Sequence, residues 1–278
     1  MSTTWFITGT SSGFGRQLTE QLLAGGQRVA ATARNTASLS DLATRYGERL
    51  WTATLDVTDT PALRAVVERA FADLGRIDVV VSNAGYAVMG AAEELSDEQI
   101  TREIDTNLVG SIQLARAVIP HLRTQGGGRF IQMSTEGGQM AFPGLSLYHA
   151  SKWGIEGFIE AVAAETATFG IEYTLVEPGG ARTDFGGRSM DVASPLPAYD
   201  TVLAAMRARV ADPNVAQTSV GDPAKIAAAI IASADQTPAP RRLTLGSDAY
   251  RLLSAALRSR LDALEAQKSL AHTTDVTD

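Results

Sequence analysis

Short apolar runs alternate with longer amphipathic stretches along most of the chain. The runs have the continuous apolar character of strands buried on both faces, and the stretches between them follow the period of a helix. Strand and helix repeated in this order predict an α/β fold, with a parallel sheet covered by helices on both faces. The predicted strands are residues 5–8, 28–33, 50–55, 79–81, 129–133, 171–176 and 242–245.

Local signals mark the ends of several predicted helices. Pro61 stands at the first position of its helix, where a proline is tolerated, and Gly170 follows the helix that carries Tyr148. The predicted helices are residues 15–24, 38–46, 60–74, 97–122, 148–169, 199–210, 222–234 and 250–270.

Two segments depart from the alternation. Residues 179–220 are rich in glycine and proline, and so long an irregular segment in a compact domain usually serves function. We interpret it as a substrate-loop insertion or lid, with a disordered excursion as the alternative. Residues 247–278 are predicted to form an amphipathic helical tail. This tail covers either the surface of its own domain or a neighbouring subunit.

Composition narrows the class of protein. The chain has 278 residues, 45% of them hydrophobic and 20% charged, which suits a globular protein of one large or two small domains. The formal net charge of −7 argues against nucleic acid or an anionic membrane as the main partner. The absence of cysteine excludes disulfides and thiolate chemistry, and the three histidines lack metal-ligand spacing. Since we recognise neither a signal peptide nor a transmembrane run, we expect a cytoplasmic protein without a metal.

A glycine-rich turn follows the first strand and opens the first helix. It reads Gly9-Thr10-Ser11-Ser12-Gly13-Phe14-Gly15, a Gly-x-x-x-Gly-x-Gly spacing. Glycine permits the tight turn and lets the backbone approach a diphosphate, whose charge is held by free amides at the helix start. The position of this turn therefore predicts a dinucleotide site.

The end of the second strand distinguishes the two nicotinamide cofactors. An acidic residue there binds the ribose diol of NAD(H) and repels the 2′-phosphate of NADP(H). This chain has Ala33 followed by Arg34, whose guanidinium suits a phosphate. We therefore predict NADP(H). The alternative is that Arg34 is an ordinary surface arginine and that both cofactors are accepted.

Tyr148 and Lys152 stand four residues apart, on one face of a helix. A phenol has a pKa of about 10, and a nearby cation lowers it, so the pair can serve as a general acid and base. A solvated surface pair is the alternative. Lysine is scarce, since Lys152, Lys225 and Lys268 are the only lysines among 24 basic residues. A compact ammonium that touches both a phenol and a ribose explains the choice of lysine here.

Further motifs stand in order along the chain: Leu55-Asp56-Val57, Asn83-Ala84-Gly85, Asn107 and Pro178-Gly179-Gly180-Ala181-Arg182-Thr183. With the glycine turn and the Tyr148–Lys152 pair, they resemble the classical short-chain dehydrogenase/reductase family over roughly residues 5–245. The resemblance implies a single-domain Rossmann fold over residues 1–278, with a doubly wound, seven-stranded parallel sheet. It also implies a homo-oligomer, either a dimer or a tetramer. Its subunits would pair through the long predicted helices, residues 97–122 and 148–169.

The resemblance implies roles for the matched residues. Tyr148 would give a proton to a ketone or take one from an alcohol, and Lys152 would lower the pKa of Tyr148 and bind the nicotinamide ribose. Asn107 would hold a water that links Lys152 to solvent; a helix-kinking polar residue is the alternative. Asp56 could instead be a turn residue at the end of its strand. The residues implied to contact the cofactor are Gly9, Ser11, Ser12, Gly13, Phe14, Gly15, Arg34, Asp56, Val57, Asn83, Ala84, Gly85, Tyr148, Lys152, Pro178, Gly179 and Thr183.

One position departs from the family pattern. The family usually has a serine thirteen residues before the tyrosine, where this chain has Thr135 preceded by Ser134. Side chains of adjacent residues at a strand end point in opposite directions, so one of the two hydroxyls faces the site. The spacing favours Thr135, whose hydroxyl is chemically the same donor, and Ser134 is the alternative.

These features predict an NADP(H)-dependent oxidoreductase that interconverts a ketone or aldehyde and an alcohol by hydride transfer, with Tyr148 as general acid and base. Largely apolar side chains near the motifs predict an apolar small-molecule substrate, although Arg182 and Arg188 leave an anionic one open. The pocket candidates are Tyr86, Met89, Met140, Phe142, Phe185 and Tyr199.

Two other classes of function are weighed against this one. A non-catalytic NADP(H)-sensing regulator needs the glycine turn but neither the tyrosine nor the lysine, and this chain has both. An epimerase or dehydratase on the same fold usually has another glycine spacing and a longer C-terminal substrate domain. Binding of NADPH without turnover of any ketone in a broad panel would favour the regulator.

Overall fold

A single parallel sheet forms the centre of the computed structural model, which describes residues 2–183, 185, 189–212 and 214–276. The strands are β1 (Thr4–Thr8), β2 (Arg28–Ala33), β3 (Leu50–Thr54), β4 (Val79–Ser82), β5 (Ala87–Met89), β6 (Gly128–Met133), β7 (Ile171–Pro178), β8 (Met190–Val192) and β9 (Arg242–Leu245). The seven-stranded sheet has the order β3-β2-β1-β4-β6-β7-β9, and all of its pairs are parallel. The strand order reverses between β1 and β4, which defines a doubly wound Rossmann fold and confirms the predicted fold class.

Helices cover both faces of this sheet. They are α1 (Gly13–Ala24), α2 (Ser40–Tyr46), α3 (Thr60–Leu74), α4 (Asp97–Ile104), α5 (Gly110–Thr124), α6 (Ser146–Glu165), α7 (Asp200–Ala211), α8 (Val215–Thr218), α9 (Pro223–Ser233), α10 (Ser247–Glu265) and α11 (Lys268–His272). Within the described ranges, none of them has both the length and the apolar character required to span a bilayer.

The continuous apolar character of the strands has a direct structural cause. Successive side chains of a strand point to opposite faces, so a strand covered on both faces is apolar at every position. Phe6 and Phe130 enter the core under α3, α5 and α6. Ile7 and Ile131, their neighbours in sequence, enter a second core under α1 and α9.

The long helix predicted for residues 97–122 is interrupted. Residues Asp105–Val109 form a π-helical turn between α4 and α5, and Asn107 lies in it with 0% of its surface exposed. A π-helical turn widens the helix by one residue and often accompanies function. Asn107 therefore both lies in the distorted turn of the helix and has a buried side chain. The two interpretations of this residue describe one structural feature.

A small second sheet was not predicted. Strands β5 and β8 pair in parallel, with Ala87 opposite Met190 and Met89 opposite Val192. Each strand is three residues long, too short for a recognisable period, and the pairing joins positions about a hundred residues apart. Strand β8, α7 and α8 lie within the predicted substrate-loop insertion, residues 179–220. Five residues of this insertion lie outside the described residues: Asp184, Gly186, Gly187, Arg188 and Pro213.

The predicted helical tail begins at Ser247 and is divided into α10 and α11. Its first turns pack on the domain through the buried side chains of Ala249 and Leu253. Farther along, the guanidinium of Arg260 lies 5.0 Å from the centroid of the Trp153 ring on α6. A stripe of leucines in the second half of α10 is exposed, at 46–65% for Leu257, Leu261 and Leu264.

Candidate active site

The glycine turn between β1 and α1 is tightly closed. Gly9 and Gly13 have φ angles of +70° and +55°, in the left-handed region that favours glycine. A Cβ at Gly15 would lie 2.3 Å from the carbonyl oxygen of Gly9, and one at Gly9 would lie 2.9 Å from the Cα of Ala84. No other residue type fits these positions without displacing backbone.

The segment Asn83-Ala84-Gly85 holds this turn from the side. The Thr8 hydroxyl accepts hydrogen bonds from the backbone amides of Asn83 (3.0 Å) and Ala84 (3.1 Å). The Asn83 side-chain amide donates to the carbonyl oxygens of Thr8 (2.9 Å) and Gly9 (3.0 Å). These bonds join the carboxyl ends of β1 and β4, where the strand order reverses and where open α/β sheets bind ligands.

The start of α1 has the properties of an anion site. Ser12 is the N-cap residue, its side chain makes no capping bond, and no acidic residue occupies the first turn. The first amides of a helix have no partner within it and carry the positive end of the helix dipole. Ser11 is exposed at this end, whereas Phe14 turns back onto the second core. The turn therefore fits the diphosphate of a dinucleotide.

The ends of β2 and β3 flank this anion site. Arg34 is exposed directly after β2. Asp56 follows β3, and its Oδ1 accepts from the backbone amide (3.0 Å) and the hydroxyl (2.8 Å) of Thr58, so it does form a turn at the strand end. Val57 beside it is buried. An unpaired acid that would repel a 2′-phosphate is thus absent from the end of β2, among the described residues.

Lys152 lies between Tyr148 and the dinucleotide turn. Its side chain is buried, its ammonium donates to the Met133 carbonyl at 3.1 Å, and it lies 5.6 Å from the centroid of the Tyr148 ring. A Cβ at Gly85 would lie 3.7 Å from the ammonium nitrogen. The helix α6 thus presents Tyr148 and Lys152 together to the same cleft.

The pKa of Tyr148 moves in the direction opposite to the expected lowering. Burial raises the pKa of this phenol, and the carboxyls of Glu136 and Glu103 raise it further. Burial also lowers the pKa of Lys152 to about 8, against the opposing charges of Glu103 and Glu156. Desolvation and the two acids set the direction of the Tyr148 shift, and the Lys152 ammonium donates to the Met133 carbonyl.

Asn107 links three parts of the cleft. Its amide nitrogen donates to the Tyr86 carbonyl at 2.7 Å and to the Ser151 hydroxyl at 3.2 Å. Its oxygen accepts from the Tyr86 amide at 3.1 Å. A Cβ at Gly85 would lie 3.0 Å from that oxygen, so Asn107 and Lys152 border the same glycine.

The two adjacent hydroxyls at the end of β6 point in different directions. Ser134 is buried and donates to the Glu156 carboxylate at 2.5 Å. Thr135 is half-buried, and its hydroxyl contacts Glu136 and, at 3.3 Å, the Pro178 carbonyl. The Thr135 hydroxyl thus contacts Glu136, the carboxyl whose charge raises the pKa of Tyr148.

The loop after β7 is held by the C-terminal helix. The Gly179 amide donates to the Leu245 carbonyl and the Gly180 amide to Asp248 Oδ2, both at 2.9 Å. A Cβ at Gly179 would lie 2.3 Å from Asp248 Oδ1. Thr183 closes the loop, since its hydroxyl accepts from the Phe185 amide at 3.3 Å.

The Tyr148 ring packs against a small apolar cluster. Of the expected pocket residues, Met89, Phe142 and Phe185 belong to this cluster. Tyr86 and Tyr199 instead bind Arg102 and Glu93 through their hydroxyls. The Met140 carbonyl accepts from the Trp153 indole at 3.3 Å. The cluster also contains residues that sequence reasoning missed, and these are Ala87, Leu145, Met190, Met206 and Val210.

Three acids near the cleft were also missed. Glu103, Glu136 and Asp248 each lie outside the family motifs, on α4, after β6 and on α10. Burial raises the pKa of Glu136, and Asp248 raises it further. Of these three acids, the sequence offered a signal for Glu103. It stands one helical turn before Asn107 and so lies on the same face of the helix.

Comparison with known proteins places this fold and site in a family. A family model for short chain dehydrogenases matches residues 3–191. Oxidoreductase BOA17 of Botryotinia fuckeliana is 37% identical over 274 residues, covering 98% of this chain and 99% of its own. A short-chain dehydrogenase structure from Streptomyces avermitilis has a TM-score of 0.92 at 37% identity, covering 99% of this chain and 100% of that chain. A 3-ketodihydrosphingosine reductase of Bacteroides thetaiotaomicron is 35% identical over 179 residues, 64% of either chain.

A doubly wound sheet with a glycine turn and a tyrosine–lysine helix defines a Rossmann-type oxidoreductase. The chain belongs to the short-chain dehydrogenase family. The family predicted from the motifs is therefore confirmed.

Proposed function

We propose that this protein is an NADP(H)-dependent oxidoreductase that interconverts a ketone or aldehyde and an alcohol, with Tyr148 as general acid and base. The observation that carries the proposal is the position of the Lys152 ammonium, buried between the Tyr148 ring and Gly85. The Bacteroides relative is named a ketone reductase, which supports a carbonyl substrate.

The cofactor would be held along the carboxyl edge of the sheet. The amides at the start of α1 would bind its diphosphate, and Arg34 its 2′-phosphate. Asp56, Val57 and the segment 83–85 would line the adenosine side. Pro178, Gly179 and Thr183 would contact the nicotinamide side. When bound, NADPH supplies the hydride; the protein contributes position and protons.

Tyr148 and Thr135 would act on the substrate oxygen. Both hydroxyls can donate a hydrogen bond, and a fixed donor stabilises the negative charge that develops on the oxygen. The raised pKa of Tyr148 keeps its phenol protonated at neutral pH, which suits reduction. An alkoxide is a stronger base than a phenolate, so the proton moves to the substrate as the alcohol forms.

The substrate would be apolar near its carbonyl group. Met89, Phe142, Phe185 and Met206 belong with Tyr148 to one apolar cluster of hydrocarbon and sulfur. Such a lining excludes water and binds apolar groups through buried area. A panel of apolar ketones and aldehydes, screened by loss of NADPH absorbance, tests this substrate class.

Replacing Tyr148 tests the mechanism. We expect Tyr148→Phe to lower kcat for ketone reduction by about 10²–10⁴-fold, the usual contribution of a general acid, while the Kd for NADPH changes little. Tyr250→Phe is the matched control, because Tyr250 is a tyrosine with 70% of its surface exposed on α10. A Tyr148→Phe enzyme that keeps most of its activity contradicts the mechanism. NADPH binding by the wild type without turnover on the panel would favour a regulator instead.

A further inference from the structure

Glu103 is a carboxyl with 0% of its surface exposed, beside the proposed catalytic group. It lies on α4, one turn before Asn107. Its Oε2 accepts from the Val88 amide at 2.9 Å, and its Oε1 from the Asn107 side-chain amide at 3.4 Å. Both donors are neutral, so neither balances a negative charge on the carboxyl.

Lys152 supplies the balancing charge. The lysine lowers the pKa of Glu103, and the acid raises the pKa of the lysine. Burial acts against both ions: it raises the pKa of Glu103 to about 7 and lowers that of Lys152 to about 8. The charge of each group therefore helps to keep the other ionised in the interior, and Glu156 on α6 also helps to keep Lys152 protonated.

The other charged groups around Glu103 are largely paired with one another. On the side of β5 and β8, the Arg102 guanidinium binds Asp191 and the Tyr86 hydroxyl. Asp191 raises the pKa of Glu103, and on α6 Glu103 raises the pKa of Tyr148. Arg102 is paired with Asp191, and among the described residues Lys152 is the cation whose charge acts on Glu103. The two groups are linked through Asn107, which binds Glu103 and borders Gly85 together with the Lys152 ammonium.

We propose that Glu103 is a positioning residue that keeps Lys152 protonated and holds the Asn107 amide in place between the tyrosine helix and β5. This inference rests on the proposed function of Lys152 and Tyr148. The carboxylate acts through Lys152 and Asn107 and touches neither substrate nor cofactor. It thereby fixes the charge state that reduction requires, with a protonated lysine beside a protonated phenol.

The variant Glu103→Gln separates charge from shape. A carboxamide still accepts from the Val88 amide and fills the same volume, but it carries no charge. An opposite charge close by shifts a pKa by about 1–3 units, so removing it lowers the titration midpoint of Lys152 by about one pH unit. Removing Glu103 also lowers the pKa of Tyr148, in the same direction.

NMR spectroscopy of protein labelled with ¹³C at the lysine Cε atoms measures the titration midpoint of Lys152 directly. The chain contains three lysines, so the spectrum has three signals, and Lys225 and Lys268 serve as internal references. We expect only the Lys152 midpoint to fall in Glu103→Gln. Glu172→Gln is the control, because Glu172 is an ion-paired carboxylate on β7 that binds Arg129. An unmoved Lys152 midpoint in Glu103→Gln overturns the inference.

The pH dependence of kcat is the second measurement. We expect the alkaline limb of kcat against pH to move to lower pH in Glu103→Gln, by the same amount as the lysine midpoint, with KM for the ketone unchanged within about twofold. A loss of kcat that is equal at every pH indicates a merely structural residue and overturns the inference. A lysine shift without turnover by the wild type supports the charge coupling and contradicts the proposed function.

The reciprocal variant covers the case in which Glu103→Gln does not fold. In Lys152→Met the balancing cation is removed from Glu103. We expect the ¹³C-carboxyl midpoint of Glu103 to rise above its wild-type value. An unchanged midpoint overturns the inference independently of the first variant.

Discussion

The adjacent hydroxyls of Ser134 and Thr135 make contacts with different parts of the molecule. Ser134 donates to Glu156, which in turn binds Arg242 of β9, whereas Thr135 faces Glu136 and Pro178. The first hydroxyl belongs to a buried ionic network, and the second contacts Glu136 and the end of β7. This geometry supports Thr135 as the donor to the substrate oxygen.

Removal of the Thr135 hydroxyl is predicted to lower kcat, whereas removal of the Ser134 hydroxyl is predicted to lower the stability of the fold. Thr135→Val keeps the shape and removes the donor, and we expect kcat to fall by about 10²-fold, near the lower end for a lost oxyanion donor. Ser134→Ala should leave kcat within about threefold and lower the free energy of unfolding by about 1–3 kcal/mol, because Glu156 loses a buried donor. Steady-state kinetics and urea denaturation measure the two effects. A large loss of kcat confined to Ser134→Ala would reverse the assignment.

Arg34 is the residue on which cofactor choice is predicted to depend. Arg34→Asp replaces a phosphate-binding cation with an acid that binds a ribose diol. We expect the Kd for NADPH to rise by at least about tenfold, the equivalent of about 1.4 kcal/mol, and the Kd for NADH to fall. Fluorescence titration with both cofactors measures this, with Arg45→Asp on the outer face of α2 as control. Equal affinity of the wild type for NADH and NADPH would contradict the predicted preference.

At the scale of elements, the C-terminal helix contacts the loop after β7. We expected the tail to cover a surface, yet Asp248 in the first turn of α10 accepts from the Gly180 amide in the loop after β7. The loop lies so close to α10 that a side chain at Gly179 would overlap the Asp248 carboxyl. The start of α10 thus positions the loop proposed to contact the nicotinamide.

Removing this carboxyl is predicted to weaken the loop. In Asp248→Ala the Gly180 amide loses its partner, and we expect a loss of about 1–3 kcal/mol in the free energy of unfolding together with weaker NADPH binding. Asp248→Asn is the matched control, since its amide oxygen can still accept from Gly180. Thermal denaturation and cofactor titration compare the two variants. Equal behaviour of both variants and the wild type would show that the bond is dispensable.

At the scale of the whole molecule, the family resemblance leads us to propose a homo-oligomer. The leucines of α10 that remain exposed offer apolar area that association would bury, at about 25 cal/mol per Å². We expect light scattering to give a multiple of the chain mass of 29.3 kDa. Leu257→Glu combined with Leu261→Glu should reduce that mass. A monomeric wild type would contradict the proposal.

Much of the architecture follows from local pattern. Strands β2 and β9 begin and end where they were predicted, because apolar runs between turn signals are visible without knowledge of their neighbours. The same holds for the glycine turn, where tight closure demands a residue without a Cβ. The pairing of β5 with β8 could not be predicted, since three-residue strands have no period and their partners are distant in sequence.

The sequence by itself determined the order of strands and helices, the dinucleotide turn, the tyrosine–lysine face and the family. These depend on side chains a few residues apart. Only the tertiary structure decided that Ser134 binds Glu156 while Thr135 contacts Glu136, that Glu103 and Asp248 converge on the motifs, and that burial raises the Tyr148 pKa. Such properties depend on burial and on charges brought together from distant segments, and a one-dimensional pattern records neither.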